Sequence, residues 1–262
     1  MNKLLTYAIV AAPLLAQEHI PVPLADPGRP VTLSVHVLHG SITVRAYNGR
    51  ELIVDSKAAG NASQTEKTHD GMHRIAGSAG DLTIESENNK VSINSRNGHS
   101  SDITIQTPVN TSVNIKTLAG GQLTVEGVTG DVEAQNLNGA VNIRNVSGSV
   151  VAHSLNGAVT VSIASAKPGS PMSFSSLNGT IDVTLPPNIA ADFSMKTNHG
   201  EIYSDFDVKM KPSNQPVVEP SDSKKGKYKV KVDGAVMGTV NGGGPDIKFT
   251  TLNGNIYIRK AK

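Results

Sequence analysis

The chain has 262 residues, with 25 Gly, 14 Pro, no Trp, no Cys and only 3% aromatic residues. It therefore lacks the bulky side chains that fill a globular α/β core, and it can form neither disulfides nor a lipidated cysteine anchor. Its formal net charge of +2 is too small to indicate a nucleic-acid partner. The length is compatible with one large all-β domain.

The first sixteen residues have the pattern of an export signal. Lys3 supplies a positive start, residues 4–15 are an apolar run, and Ala16 precedes a polar stretch. The run is shorter than the roughly 20 residues of a membrane span. Residues 1–16 are therefore predicted as a signal peptide, and the mature chain as an exported protein of the periplasm, cell envelope or extracellular space. The alternative is a buried N-terminal strand or helix, because Leu14 is larger than cleavage sites prefer.

A proline-rich leader and an irregular β-rich layer come next. Residues 17–30 contain four prolines and are predicted to be extended. From Val31 onward the chain is predicted to be a single domain, 31–262, that opens with strand-like alternations at irregular spacing. Such a layer is typical of the cap that closes the first coil of a repeat protein. Residues 58–71 are polar and are predicted as an exposed loop.

Five nine-residue units then run without a gap from Gly121 to Ser165: GQLTVEGVT, GDVEAQNLN, GAVNIRNVS, GSVVAHSLN and GAVTVSIAS. In each unit the third and fifth residues are apolar and the fourth and sixth are mostly polar, which is the alternation of a half-buried β-strand. The corners alternate between Val-Thr/Ser-Gly and Leu-Asn-Gly, and the fifth position alternates between large and small residues. The structural period is therefore eighteen residues, with two unlike sides.

This alternation predicts an all-β, parallel β-solenoid with about 18–22 residues per coil and two main sides. Strands of successive coils lie about 4.8 Å apart, so side chains eighteen residues apart should stack in columns. One column is predicted to contain Val125, Ile143 and Val161, and another Ala134 and Ala152. Large residues on one side would then face small ones on the other.

The Leu-Asn-Gly corner can be followed beyond the nine-residue units. Stacked asparagines hydrogen-bond up and down such a corner and hold it, so the asparagines are predicted as a structural column. Ligand binding along this edge is the alternative interpretation. The predicted column contains Asn138, Asn156, Asn178, Asn198 and Asn253.

An excursion at about 205–244 interrupts the pattern, and residues 246–259 are predicted to form the closing coil. Inside the excursion, alternation puts several lysines on one face of a strand. This basic ribbon is predicted either to block sheet-to-sheet aggregation at an edge or to contact an anionic envelope polymer or lipid head group. Its lysines are Lys224, Lys225, Lys227, Lys229 and Lys231.

The chain resembles a known bacterial family. An Ile-Thr-Ile-Gln-Thr-Pro strand (103–108), then Val113-Asn114-Ile115, the Leu-Asn-Gly corners and the segment GGGPDIKFTTLNGNIYI (242–258) are similar to the β-strand-repeat family of unknown function labelled as adhesins. Related domains occur in daptomycin-sensing surface proteins. The resemblance covers roughly Val31 to Arg259. It implies an exported or envelope-associated right-handed β-solenoid, and it implies no established catalytic residues.

Catalysis is not predicted from the residues. Extracellular β-helical enzymes need clustered carboxylates or basic groups at the reacting bond. Outward charges on the regular units are sparse, and Glu133 and Arg144 are expected on opposite sides of a coil. The calcium-binding nine-residue roll needs Gly-Gly-x-Gly-x-Asp corners, which this chain lacks.

No metal site or cofactor is predicted either. His69 and His73 have a four-residue spacing, but they flank Asp70-Gly71 in a predicted loop and have no third ligand nearby in sequence. The other histidines considered are predicted to be strand or corner residues, namely His36, His39, His153 and His199.

The sequence thus predicts a non-enzymatic exported envelope or surface protein, an adhesin-like β-solenoid used for binding or scaffolding. The alternative is an envelope-stress sensor or regulatory module that binds an anionic envelope ligand or peptide. Its partner is predicted to be an envelope component or another envelope protein. Filament formation by end-to-end stacking is disfavoured by the charged tail Arg259-Lys260-Ala261-Lys262.

Overall fold

The structure is a computed structural model that describes residues 18–58, 82–95, 101–212, 217–218, 230–231 and 234–262. Within these ranges the chain forms β-strands and no helix. The predicted signal peptide, residues 1–16, lies outside the described residues, as do His69 and His73.

The strands follow one another closely along the chain and are mostly five to nine residues long. They are β1 (Glu18–Pro23), β2 (Val31–His39), β3 (Ile42–Tyr47), β4 (Glu51–Ala58), β5 (Leu82–Glu87), β6 (Lys90–Ser95), β7 (Ser101–Pro108), β8 (Thr111–Ala119), β9 (Leu123–Glu126), β10 (Val132–Asn136), β11 (Val141–Gly148), β12 (Val150–Ser154), β13 (Val159–Ala166), β14 (Met172–Asn178), β15 (Ile181–Leu185), β16 (Ala191–His199), β17 (Ile202–Ser204), β18 (Lys209–Met210), β19 (Val217–Val218), β20 (Val230–Lys231), β21 (Val236–Val240), β22 (Asp246–Asn253) and β23 (Ile256–Lys260).

Two large mixed sheets contain nearly all of these strands. Sheet A has the spatial order β1-β4-β7-β3-β9-β11-β13-β15-β23-β17, and sheet B has the order β18-β21-β16-β22-β14-β12-β10-β8-β2-β6-β5. The short strands β19 and β20 pair only with each other. Neither large sheet closes on itself, so the fold is an open, all-β, two-sheet arrangement.

Consecutive strands from β8 to β17 alternate between the two sheets. Two such consecutive strands, one in each sheet, are called a coil below. Neighbouring coils pair in parallel: Ile143 lies beside Val125 on one side and Val161 on the other, and Ala134 lies beside Ala152. These are the columns that the eighteen-residue alternation predicts.

The core is the space between the inward faces of the two sheets. Because side chains alternate along a strand, every second residue points inward, and the burial patterns follow this period, as in Val132–Asn136. Val125, Ile143, Ala134 and Ala152 are completely buried. The core is thus built from columns of small and medium aliphatic side chains, as the composition of the chain requires.

The phenylalanines of the chain gather in the core near β16. The Phe249 ring lies between two others, with its centroid 5.4 Å from that of Phe174 and 5.5 Å from that of Phe193. Phe206 meets Phe193 edge to face at 5.9 Å. Three of these side chains are at most 1% exposed and Phe206 is 6% exposed, so the aromatic cluster is dry.

The order of coils in space differs from their order in the chain at both ends. The β2–β3 coil lies between β6–β7 and β8–β9. The β22–β23 coil lies between β14–β15 and β16–β17, so the prediction that residues 246–259 close the array is wrong. The reason is that β21, from the excursion, pairs antiparallel with the outer edge of β16 and takes that place.

Antiparallel strands continue both sheets at one end of the parallel array and sheet B alone at the other. At one end β4 joins β7 and β1 joins β4, while β5 joins β6 in the other sheet. At the other end β21 and then β18 continue sheet B beyond β16. The outermost strands are poor partners for another sheet, because β18 has only two residues and β1 contains Pro21 and Pro23, which lack a backbone N–H donor.

Candidate binding surface

The outer face of sheet B carries side chains in straight rows, because neighbouring strands keep residue-to-residue register. Leu137 follows β10 and lies beside Leu118 of β8, since Asn136 pairs with Thr117. The same register continues through four other strands, β2, β12, β14 and β22. The resulting row is called the leucine ridge, and in spatial order it contains Leu38, Leu118, Leu137, Leu155, Leu177 and Leu252.

Next to the leucine ridge, two residues earlier in each strand, lies a second row on the same face. It is called the basic row because it holds two lysines and two histidines and none of its members is acidic. In spatial order it contains His36, Lys116, Gln135, His153, Ser175, Thr250 and Lys196.

On the other side of the leucine ridge lies a ladder of side-chain amides. Asn156 donates from Nδ2 to Oδ1 of Asn138 at 2.8 Å, and Asn178 donates to Asn156 at 2.7 Å. Asn253 donates to Asn178 at 2.6 Å, and Nδ1 of His199 lies 3.0 Å from Oδ1 of Asn253. Because each internal amide both donates and accepts along the row, its main bonding capacity is used within the protein.

Asn198, which the sequence places in this column, lies one position away from it. His199 pairs with Asn253 in the sheet register, so Asn198 falls beside Leu252 and is exposed. The local cause is one extra residue, because Thr197-Asn198-His199-Gly200 is longer than Leu-Asn-Gly before the corner glycine.

Of the lysines predicted to contact a polyanion, four lie outside the described residues: Lys224, Lys225, Lys227 and Lys229. The backbone of Lys231 belongs to β20 and pairs with Val217 of β19. The polyanion contact of this segment therefore stays a prediction.

The outer face of sheet A carries a polar and aromatic cluster that the sequence analysis missed. Tyr203 and Tyr257 stack with centroids 5.2 Å apart and an interplanar angle of 7°. Arg259 lies 5.3 Å from the Tyr257 ring and binds both carboxylate oxygens of Asp182, at 2.8 and 3.1 Å. The hydrogen bond and charge of Asp182 raise the pKa of Arg259, and the hydrogen bond from the Tyr203 hydroxyl to Glu201 raises the pKa of Tyr203.

A short repeated pattern could have revealed this tyrosine pair. Gly200-Glu201-Ile202-Tyr203 and Gly254-Asn255-Ile256-Tyr257 share the form Gly-x-Ile-Tyr, and their strands β17 and β23 are neighbours in sheet A. Equal spacing from a corner glycine places the two rings in one row. The cluster holds one bidentate ion pair, whose two charges already satisfy each other.

Several cavities lie on the surface of the described part of the chain, among them two of more than 500 Å³. One, of about 530 Å³, is formed by three corner loops, 164–170, 186–190 and 243–247. The other, of about 570 Å³, lies where the leucine ridge and the basic row begin. Its lining includes Leu38, Leu118, His36, Lys116 and Glu85.

The four described histidines considered from the sequence lie on three strands. His36 and His153 point outward from β2 and β12, and His39 and His199 end β2 and β16. Among the described residues, no group of three or more His, Asp or Glu side chains could hold a metal ion. Glu133 lies in sheet B and Arg144 in sheet A, on opposite sides of the molecule.

The described part of the chain contains no helix that is long and apolar enough to span a membrane.

Comparisons with known proteins give only distant likenesses. No protein-family model matches the chain, and the curated proteins give no match. Solved structures similar to it include a "putative cell adhesion protein" from Clostridium sporogenes, with 11% identity and a TM-score of 0.45, and a "putative adhesin" from Bacteroides fragilis, with 13% identity and a TM-score of 0.42. The first likeness covers 94% of this chain and 100% of the other, and the second covers 95% and 99%. Similarity at this level does not define the family or the activity of the chain.

Proposed function

We propose that the protein is a non-enzymatic, exported envelope or surface protein whose flat outer faces act as an adhesin-like binding or scaffolding surface. The two-sheet array is proposed to be a right-handed, two-sided β-solenoid. The alternation of β8 to β17 between parallel sheets supports this reading, as does the spacing of eighteen residues between Val125, Ile143 and Val161.

The observation that carries the proposal is the residue-to-residue register that neighbouring strands keep through the middle of sheet B. It arranges outward side chains in straight rows of similar residues, such as the leucine ridge and the amide ladder. Acid–base or nucleophilic chemistry needs unlike groups that converge on one reacting atom. Long rows of like groups are suited instead to repeated contacts with an extended partner.

The charged groups on the described outer faces support the same conclusion. Arg259 and Asp182 bind each other, and the Glu133 carboxylate accepts hydrogen bonds from Gln135 at 2.7 Å and Asn114 at 3.0 Å. Groups paired in this way hold the surface together and are not poised to transfer protons. Export is proposed from the signal-like residues 1–16.

Fractionation combined with crosslinking in intact cells tests this function. The tagged chain is expected in the envelope or medium, with a mature N-terminus near Gln17 by mass spectrometry. A photocrosslinking residue at outward-facing Thr160 on sheet A or Ser173 on sheet B should capture an envelope component, and the same cells without illumination are the control. A cytoplasmic chain with an intact N-terminus would refute the proposal, and capture of a single signalling protein would favour the sensor alternative.

A further inference from the structure

The leucine ridge is an apolar feature in an exposed position. Leu118, Leu137, Leu38 and Leu177 are 37–42% exposed, and Leu155 and Leu252 are half-buried. With one leucine per strand and strands about 4.8 Å apart, six leucines make a straight line about 24 Å long. A contiguous apolar strip on a protein surface typically marks a contact site.

The charges around the leucine ridge are distributed unevenly. On the sheet side the ridge is bordered by the basic row, with Lys116 and Lys196 near its two ends. His36 lies beside Lys116, and His153 lies between the two lysines. On the corner side it is bordered by the neutral amide ladder. A surface of this kind favours an anionic partner over a cationic one.

Acidic side chains of sheet B lie mostly at the far end of the strands. Asp131 directly precedes β10, and Asp192 and Asp246 lie at the starts of β16 and β22. Six residues of extended chain separate Asp131 from Leu137, a distance of about 20 Å. Glu133 lies between them with its carboxylate engaged by two side-chain amides, and Glu85 lies beside the first end of the ridge.

We infer that the leucine ridge and the basic row together dock the protein onto an anionic lipid surface. The leucines would enter the boundary between head groups and acyl chains, and the basic row would contact the anionic head groups. This inference deepens the proposed function and depends on the export that it assigns, since it names the envelope component as a lipid surface.

The dimensions of the ridge favour a lipid surface over a second copy of the chain. Six leucines that are at most about two-fifths exposed offer roughly 400 Å² of apolar area, on the scale of a single surface patch. A stable protein interface needs about 800 Å² from each partner. A membrane needs no shape complementarity, so a row of leucines held in register along one side of a sheet can insert without a matching pocket.

Vesicle flotation with the purified mature chain tests the inference. The chain should float with vesicles of phosphatidylcholine containing about one-third phosphatidylglycerol, bind vesicles of phosphatidylcholine alone much more weakly, and lose affinity as salt is raised. The triple variant Leu118→Gln, Leu137→Gln, Leu177→Gln should lower partitioning at least about tenfold, because three partly buried leucines are lost from the contact. Lys116→Gln alone should lower it about fivefold.

A matched control is available on the same face of the same sheet. Val151 is 40% exposed but lies outside the ridge, so Val151→Thr should change partitioning less than about twofold. Far-UV circular dichroism and thermal unfolding confirm that each variant is folded. The inference is overturned if the folded triple variant floats like the natural chain, or if neutral and anionic vesicles bind equally.

One further outcome would also overturn it. If light scattering shows dimers that the triple variant lacks, while the natural chain ignores anionic vesicles, the ridge is an interface between copies. Such results would leave the fractionation test of export and surface function unaffected, so the two proposals fail separately.

Discussion

Replacing Phe249 tests whether the intercalated β22–β23 coil is held by the aromatic cluster. Phe249 is completely buried and contacts the rings of Phe174 and Phe193 at centroid distances of 5.4 and 5.5 Å. Truncating a buried Phe to Ala costs about 3–5 kcal/mol. Each lost ring pair contributes about 0.5–1.5 kcal/mol beyond the buried area of the rings. The stability lost in Phe249→Ala should therefore lie near the upper end of the range of about 3–5 kcal/mol.

The assay is equilibrium unfolding in urea, followed by far-UV circular dichroism, with thermal unfolding alongside. At about 2–4 °C per kcal/mol for a domain of this size, a loss of 4–5 kcal/mol lowers Tm by roughly 8–20 °C. Phe206→Ala is the matched control, because Phe206 is 6% exposed and contacts one ring, that of Phe193, while Nζ of Lys260 lies 5.2 Å from its centroid. Its cost should be near the lower end, at about 3 kcal/mol.

Two results would refute this reasoning. A Phe249→Ala variant that loses less than about 1 kcal/mol would mean that the aromatic cluster does not hold the coil. A loss no larger than that of Phe206→Ala would mean that the central position of Phe249 between two rings adds nothing. Phe249→Leu, which keeps most of the side-chain volume, should recover most of the lost stability.

Four further substitutions test three separate contacts. Gly120 and Gly121 have φ of 72° and 79°, but a Cβ would meet nothing at Gly120 and would overlap the backbone of the neighbouring coil at Gly121. Gly120→Ala should therefore cost about 1 kcal/mol in urea unfolding and Gly121→Ala more than about 3 kcal/mol, and equal costs would contradict the close approach. Asn156→Ala interrupts the amide ladder and should cost about 1–2 kcal/mol, whereas an unchanged urea midpoint would show that the ladder adds no stability. The hydrogen bond from Lys211 lowers the pKa of Asp192 below 3.8, so its stabilising effect should be complete above about pH 4 and disappear as pH falls through the lowered pKa. The stabilities of the natural chain and Asp192→Asn should thus converge in acid, and a constant difference would argue against this contact.

The regular middle of the fold could be predicted because its determinants are local. Alternation with a period of two identifies each strand, and the alternation of corner types and of large and small residues between successive units shows that neighbours in space are eighteen residues apart. The register of Val125, Ile143 and Val161 follows directly from that spacing.

The order of coils at the ends could not be predicted in the same way. The alternation in Asp246–Asn253 identifies a strand, but it fits any neighbour that presents matching apolar residues. The partner is chosen by side chains distant in sequence, since Phe249 pairs with Phe174 on one side and with Met195 on the other. No local signal encodes such a choice.

The candidate surface was partly visible in the sequence. The sequence shows the Leu-Asn-Gly corners and predicts a row of their asparagines. It shows the leucines only as part of the corner and does not show that they face outward. Whether a corner leucine points into the core or outward depends on whether the last strand residue before it points inward. Asn136 and Ser154 point inward, so the following residues, Leu137 and Leu155, face outward.

The position of the β22–β23 coil has a consequence for biosynthesis. Residues 246–260 leave the ribosome after residues 191–204, yet they separate those residues from β14 and β15. The array therefore cannot be assembled by simple addition from one end as the polypeptide emerges. Until that late segment arrives, β16 and β17 have no permanent neighbour on their inner edge, so the native ladder is completed only after most of the chain has been synthesised.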